Sequence, residues 1–321
     1  MGRPKLTYRA YFASSHQARV GAYNRKHLFG DTKNWGNSLS TLYIVGTPIG
    51  NLEDLTLRAA RVLSEVSLVA AEDTRVTRRL LSHLDIHPRI TSFHQHNWQG
   101  KLEGVLAELA DGDVALVTDA GMPGISDPGS ELVNAAAQLG FKVEVVPGPS
   151  AVTAALALSG FPGDGFLFLG FLPRRRKDRQ VALQHASDSI VPLVVFESPH
   201  RLRATLADLG KILRDRQLVV CREMTKIHEE VFRGTASEAL EYFSSPRGEV
   251  VLVVEGGTVL KDLRSQAIDF ERQSYDLSSR LASLRRDGVR AKDAVAQVAE
   301  ITGLPKNAVY QVWIDLARET K

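Results

Sequence analysis

The chain carries a single cysteine, Cys221, in 321 residues. No internal disulfide framework can hold it together, and the expectation is an ordinary apolar core in a reducing, cytoplasmic setting. No run approaches the roughly 18 consecutive apolar residues of a membrane-spanning helix, and the first residues lack the apolar core of a secretory signal. Metal-ligand spacing is lacking too. His94 and His96 stand in Phe93-His94-Gln95-His96-Asn97 without a cysteine or third histidine at recognisable spacing, so no metal is expected. The segment Gly46-Thr47-Pro48-Ile49-Gly50 is not the glycine pattern of a dinucleotide fold, and Pro48 removes an N–H that a pyrophosphate cradle would use. The net charge of +3 is too small to argue nucleic-acid binding, so the placement of the cations has to do so.

What is present is the composition of a soluble globular protein, 44% hydrophobic and 24% charged. Residues 1–40 stand apart. Arg3, Lys5, Arg9, Arg19, Arg25, Lys26 and Lys33 outnumber the acids there, and no helical or strand period is sustained. A disordered tail, a start placed too far upstream, an organelle transit peptide and a basic arm that touches nucleic acid all fit. From Leu42 onward, β-branched apolar runs alternate with helical patterns. The runs are Leu42–Val45, Val66–Ala70, Val114–Val117, Val143–Val146, Phe166–Phe171, Leu193–Phe196, Leu218–Val220 and Val250–Val254; Leu55-Ala59-Val62-Leu63 and Leu102-Val105-Leu106-Leu109 are among the helical patterns. This alternation predicts an α/β protein with largely parallel sheets, in one large sheet or two smaller ones. Pro147-Gly148-Pro149-Ser150 interrupts the series, and Gly256-Gly257 ends it. The expected division is an α/β domain over 41–149, a second over 150–257, and a helical tail over 258–321. In the tail, Ala291–Ala299 and Asn307–Trp313 flank the turn Thr302-Gly303-Leu304-Pro305 in a helix-turn-helix outline.

The chemistry concentrates in loops at strand ends, where open α/β sheets bind ligands. Thr118-Asp119-Ala120-Gly121-Met122-Pro123-Gly124-Ile125-Ser126-Asp127-Pro128-Gly129 follows one strand and precedes a helix. Its glycines allow a ligand to approach the backbone closely. Asp127-Pro128 reads first as a helix cap followed by proline at the first helical position, whereas Asp119, where the chain leaves the strand, reads equally well as a ligand contact. Glu72-Asp73-Thr74-Arg75 is either a cap with a local salt bridge or a polar rim in which Arg75 grips a hydroxyl or phosphate. Phe196-Glu197-Ser198-Pro199-His200-Arg201 is another strand end, leading into a helix that also carries Arg203. Arg174-Arg175-Arg176-Lys177 is either a solvated face or a set of phosphate-backbone contacts.

Together, Val45–Asp54, Glu72–Arg75, the Asp119–Gly129 loop, Pro147-Gly148-Pro149-Ser150-Ala151 and Phe196–Arg201 closely resemble the 16S rRNA ribose methyltransferases of the tetrapyrrole methylase-like group. The resemblance covers residues 42 to 256, and the basic extension precedes it. It implies two α/β domains of tetrapyrrole methylase type, with S-adenosylmethionine bound in the cleft between them. By motif, Pro48, Asp119, Ala120, Gly121, Met122, Ile125, Ser150, Ala151 and Met224 are its expected contacts. The implied reaction is methylation of a cytidine ribose 2′-hydroxyl in the decoding region of 16S rRNA, by a homodimer. Glu72, Asp73 and Glu197 are candidate bases, with Arg75 and Arg201 as electrostatic partners. Arg174, Arg175, Arg176 and Lys177 are candidate RNA contacts, joined by cations of the helical tail. A small-acceptor methyltransferase and a non-catalytic ribosome-associated RNA-binding protein remain the alternatives.

Overall fold

The computed structural model describes residues 40–214, 216–257, 277, 279–302 and 306–319; the basic extension lies outside the described residues. The first sheet contains β1 (Thr41–Val45), β2 (Leu68–Ala71), β3 (Arg89–Ser92), β4 (Val114–Val117) and β5 (Lys142–Val146) in the order β3-β2-β4-β1-β5. Every pairing in it is parallel. The strands are connected by α1 (Leu57–Glu65), α2 (Thr74–His83), α3 (Trp98–Asp111) and α4 (Ser130–Gln138). Near-continuous apolar strands follow from burial on both faces. In β4, Val114 and Leu116 pack with Leu132, Ala135 and Ala136 of α4, while Ala115 and Val117 pack with Ala59, Val62 and Leu63 of α1. The chain therefore leaves adjacent strands β1 and β4 towards opposite faces. That divergence opens a crevice at their carboxyl ends.

The second sheet follows α5 (Ala151–Ser159). It is built from β6 (Leu167–Phe171), β7 (Leu193–Glu197), β8 (Gln217–Arg222), β9 (Glu230–Thr235) and β10 (Val250–Val254), with α6 (Arg176–Ala186), α7 (Pro199–Ile212) and α8 (Ala236–Tyr242). Its order is β6-β7-β10-β8-β9, and only β6 and β7 run parallel. The expectation of largely parallel sheets thus holds for the first sheet and fails for this one. Here β8 turns directly into β9 through residues 223–229, with Glu223 and Thr225 at positive φ. A connection that short makes an antiparallel pair. Strands β3 and β9 were not legible in the apolar pattern, and both are edge strands. Their sequences, Arg-Ile-Thr-Ser and Glu-Val-Phe-Arg-Gly-Thr, are half exposed and carry the polar residues that edges need.

One buried ion pair ties α6 to α7. Arg179 donates to Asp208 Oδ2 through Nε at 2.9 Å and Nη2 at 2.7 Å, and Gln180 donates to Oδ1 at 2.8 Å. Arg179 is 4% and Asp208 1% exposed. Burial pushes the Asp208 carboxyl up, but the hydrogen bonds from Gln180 and Arg179 and the guanidinium charge outweigh it, leaving a net lowering. Arg203 is also engaged, donating to the Leu240 and Phe243 carbonyls at 2.6 and 2.5 Å. Arg179 and Arg203 therefore hold the second lobe together.

From Gly257 the chain forms a separate compact unit. Residues 279–286 are helical, followed by α9 (Ala291–Thr302) and α10 (Lys306–Glu319). Leu281, Val295, Val298 and Val309 make its small core, and the Arg285 guanidinium lies 5.7 Å over the Trp313 ring. The turn expected at Gly303–Pro305 lies outside the described residues. No helix among the described residues is long and apolar enough to cross a membrane.

Because Asp208 is the buried counter-charge of Arg179, Asp208→Ala is expected to cost about 3–5 kcal/mol of stability by stranding a buried cation. Urea unfolding measures this; a loss below about 1 kcal/mol would show that solvent relieves Arg179.

Candidate functional site

The crevice at β1 and β4 opens into a cleft of about 260 Å³, just below the usual range for small-molecule sites. The first lobe contributes Ile49, Glu72, Asp119, Ala120, Gly121, Met122, Ile125 and Asp127. The second contributes Ser150, Ala151, Val152, Phe171, Phe196, Glu197, Cys221, Met224, Glu249, Val250 and Val251.

Backbone contacts set the loops. Thr47 and Gly121 exchange both N–H···O=C bonds, at 2.9 and 3.1 Å, and Thr47 Oγ1 donates to the Thr118 carbonyl at 3.1 Å. Gly121 sits at φ 81°, a left-handed conformation that a β-branched residue hardly reaches. Beside it, a Cβ on Gly148 would stand 2.9 Å from three backbone atoms of Gly46. Only two glycines let the loops after β1 and β5 touch there.

The first lobe presents an acidic wall. The Asp119 N–H donates to Glu72 at 3.4 Å, and the Asp73 N–H donates to Asp119 at 3.0 Å. Burial, then the charge of Asp119, raises the Glu72 carboxyl; burial also raises Asp119. Asp127 goes furthest, pushed up to about 7 by burial and by the charges of Glu72 and Asp119. This corrects the reading of Asp127 as a helix cap. Gly129, at φ 128°, occupies the cap position of α4 with no side-chain cap, which leaves Asp127 on the cleft wall.

Asp73 and Arg75 behave as the cap with a local salt bridge. Asp73 accepts from the Arg75 N–H at 2.8 Å and from its guanidinium at 2.6 Å, and these bonds hold its carboxyl well below the usual range. Neither residue lines the cleft. Glu197 does, but it accepts from the Thr205 hydroxyl at 2.5 Å and the Ser198 N–H at 2.8 Å, and pairs with Arg201 at 3.4 Å. Arg201 in turn donates to the Leu172 carbonyl at 2.6 Å. The two side chains brace the second lobe rather than reach into the opening. Burial pushes the Cys221 thiol up to about 11, so it is not a thiolate nucleophile.

Eight of the nine expected cofactor contacts line this one cleft; Pro48 stands next to the lining residue Ile49. Arg174, Arg175, Arg176 and Lys177 are all exposed, with Arg176 Nε 3.4 Å from Asp208. The sequence reading did not single out Phe171, Phe196 and Glu249 as site residues, and it misassigned Asp127. An aromatic residue in an apolar strand gives no local sign that it faces a cleft. No group of three or more His, Cys, Asp or Glu among the described residues is arranged to hold a metal.

Residues 41–240 match the family model of the tetrapyrrole (corrin/porphyrin) methylases. A uroporphyrin-III C-methyl transferase of Thermus thermophilus, solved with S-adenyl homocysteine, has the same fold. Its TM-score is 0.50 at 22% identity, covering 67% of this chain and 97% of that one. Residues 274–317 match the RsmI C-terminal HTH domain. The chain is 42% identical to ribosomal RNA small subunit methyltransferase I of Halalkalibacterium halodurans over 85% of its own length and 94% of the relative's. It is 43% identical to that of Synechocystis sp. over 87% and 99%. The chain belongs to the ribosomal RNA small subunit methyltransferase I family within the tetrapyrrole methylases.

The Asp127 carboxyl, at about 7 when folded, titrates near 4 when unfolded. Between those values folding takes up a proton, so Asp127 costs stability increasingly as pH rises to about 7, and fully above it. Asp127→Asn is therefore expected to raise the thermal midpoint at about pH 8 and to leave it unchanged below about pH 4. Scanning calorimetry across that range tests the carboxyl's environment; a pH-independent gain would mean that packing, not charge, is responsible.

Proposed function

We propose that the chain is an S-adenosylmethionine-dependent methyltransferase that modifies the ribose 2′-hydroxyl of a cytidine in the decoding region of 16S rRNA. The observation that carries this reading is the cleft. Residues from five separate loop and strand-end motifs converge on one opening, with an acidic wall on one side and apolar side chains on the other. The wall suits a ligand with cationic groups, and Ile49, Met122, Val152 and Met224 suit its apolar parts. The glycine-set loops let backbone groups approach it closely. S-adenosylmethionine held there supplies a sulfonium-activated methyl group.

The chain's own contribution is alignment, exclusion of water and disposal of a proton. A cleft fixed by paired backbone bonds holds reactants in one geometry, and alignment alone supplies much of the rate of a displacement. A ribose hydroxyl has to lose its proton to react. Glu72 supports the role of acceptor better than the other candidate bases. It lines the cleft, its affinity for a proton is raised, and it forms no ion pair among the described residues. Asp73 is committed to Arg75, and Glu197 to Thr205, Ser198 and Arg201.

RNA as the acceptor is supported by the exposed Arg174, Arg175, Arg176 and Lys177 at the end of β6, whose last residue lines the cleft. Backbone phosphates are the natural partners of such a run. The names of the relatives point the same way, and the small ribosomal subunit in the cytoplasm is the expected setting. A homodimer fits the exposure of Leu57 and Ile227, which are 92% and 98% accessible in the single chain.

Calorimetric titration with S-adenosylmethionine, followed by mapping of ribose methylation on small subunits, tests the proposal. The parent should bind saturably and modify one cytidine. Gly121→Val, which forces a β-branched residue to φ 81°, should abolish binding while the protein stays folded. Binding without RNA methylation, but with methylation of a porphyrinoid, would move the assignment to a small acceptor.

A further inference from the structure

Strand β6 ends in an irregularity with a chemical consequence. In a regular strand, residues three apart point to opposite faces. Phe168 and Phe171 do not. Both pack edge-on against Phe196 of β7, at centroid distances of 5.0 and 5.6 Å. The pairing of β6 with β7 explains this. Phe168 pairs with Val194 and Gly170 with Val195, so Leu169 is an extra residue, and Gly170 takes φ 59°. Such a bulge re-aims the side chains beyond it. It places the Phe171 ring on the cleft wall with 57% of its surface exposed.

An exposed ring held edge-on against Phe196 gains when something covers it. Three features identify what does. The ring is planar and lines a cleft that also holds the carboxylates Glu72 and Asp127. The exposed cations Arg174, Arg175 and Lys177 follow within six residues on the same segment. Across the mouth, Ser126 Oγ lies 3.0 Å from where a Cβ of Gly170 would be, so the Ile125–Asp127 turn faces the end of β6. A flat apolar platform followed by a run of cations is the pairing that single-stranded nucleic acid requires, with a base on the ring and phosphates along the cations.

Resting on the function proposed above, we propose that Phe171 is the stacking platform for the nucleobase of the acceptor nucleotide. The bulge at Leu169-Gly170 is the device that presents it. Stacking of an unpaired base would set the attached ribose at the mouth of the cleft while the exposed cations hold the flanking backbone.

The test measures methyl transfer to small ribosomal subunits that lack the modification, with S-adenosylmethionine affinity measured separately by calorimetry. Phe171→Leu keeps the apolar contact with Phe196 but removes the planar face, and Phe171→Trp keeps the face. Phe171→Leu and Phe171→Ala should lose about 5- to 150-fold in kcat/KM for the subunit, the range that stacking of one base covers. Phe171→Trp should retain most of it, and cofactor affinity should be unchanged in all three. Full activity of Phe171→Leu beside an active parent would overturn this proposal alone. A matching loss of S-adenosylmethionine affinity would also overturn it, placing the cofactor's own adenine on the ring. An inactive parent would overturn the function and this inference with it.

Discussion

The site depends on a backbone-to-backbone contact. Gly46 and Gly148 meet where a single added methyl group would collide with main-chain atoms, and one residue further on Thr47 is stitched to Gly121. Three loops, after β1, β4 and β5, are thereby fixed against one another mainly by main-chain contacts, to which the Thr47 hydroxyl adds its bond to the Thr118 carbonyl. Ile49, Ala120, Gly121 and Met122 on the first-lobe wall take their position from that contact, while Glu72 follows β2 and donates its N–H to the Val117 carbonyl. Side-chain packing could not do the same, because atoms placed between the loops would fill the space a ligand uses. The glycines thus serve twice, as close-packed backbone and as open volume.

Charge is distributed with a matching logic. Most arginines near the cleft are spoken for: Arg75 by Asp73, Arg179 by Asp208, Arg201 by Glu197 and two carbonyls, Arg203 by carbonyls of residues 240 and 243. Among the described residues the carboxylates of the wall form no such ion pair, and burial raises Glu72, Asp119 and Asp127 together. Three mutually repelling acids in a half-buried wall are unfavourable in isolation. They become favourable when a cationic ligand arrives, so part of the free chain's instability is converted into affinity for positive charge. The exposed cations lie on the next segment, residues 174–177. Opposite signs thus lie on adjoining surfaces, the acids in the cleft and the exposed cations on the segment beside it.

Much of this was legible in the chain. The strands buried on both faces announce themselves as apolar runs, and the loops at their ends announce themselves as glycine and proline clusters. What was hidden had physical causes. Edge strands β3 and β9 pair on one side only, so their sequences carry Arg, Glu and Thr where a central strand carries Val. The direction of β10 depends on how short the β8–β9 turn is, not on β10's own residues. Asp127 was misread because an acid before a proline and a helix is a sound capping signal. The helix starts two residues later than that signal suggests, behind Gly129 at φ 128°, and the shift changes a cap into a wall. Arg179 looked like one more cation in a run of five basic residues within Arg174–Arg179. Only the partner 29 positions away, Asp208, makes it structural.

The two sheets divide the work according to their topology. A parallel sheet sends its carboxyl ends to one edge, so the first lobe can gather three loops at a single point and build a pocket from backbone. A mixed sheet gathers fewer such loops, because some of its strands run the other way; the second lobe offers side chains near the ends of its strands instead. Cys221, Val251 and Phe196 reach the cleft from paired strands, and Met224 from the turn beyond β8. The side chains of those strands are apolar and supply shape rather than hydrogen bonds. The bulge in β6 is where that rule is broken. One extra residue frees the strand from its register and aims Phe171 at the opening. The first lobe thus lines the cleft with backbone and charge and the second mainly with apolar surface, and a ligand that spans the cleft has to satisfy both.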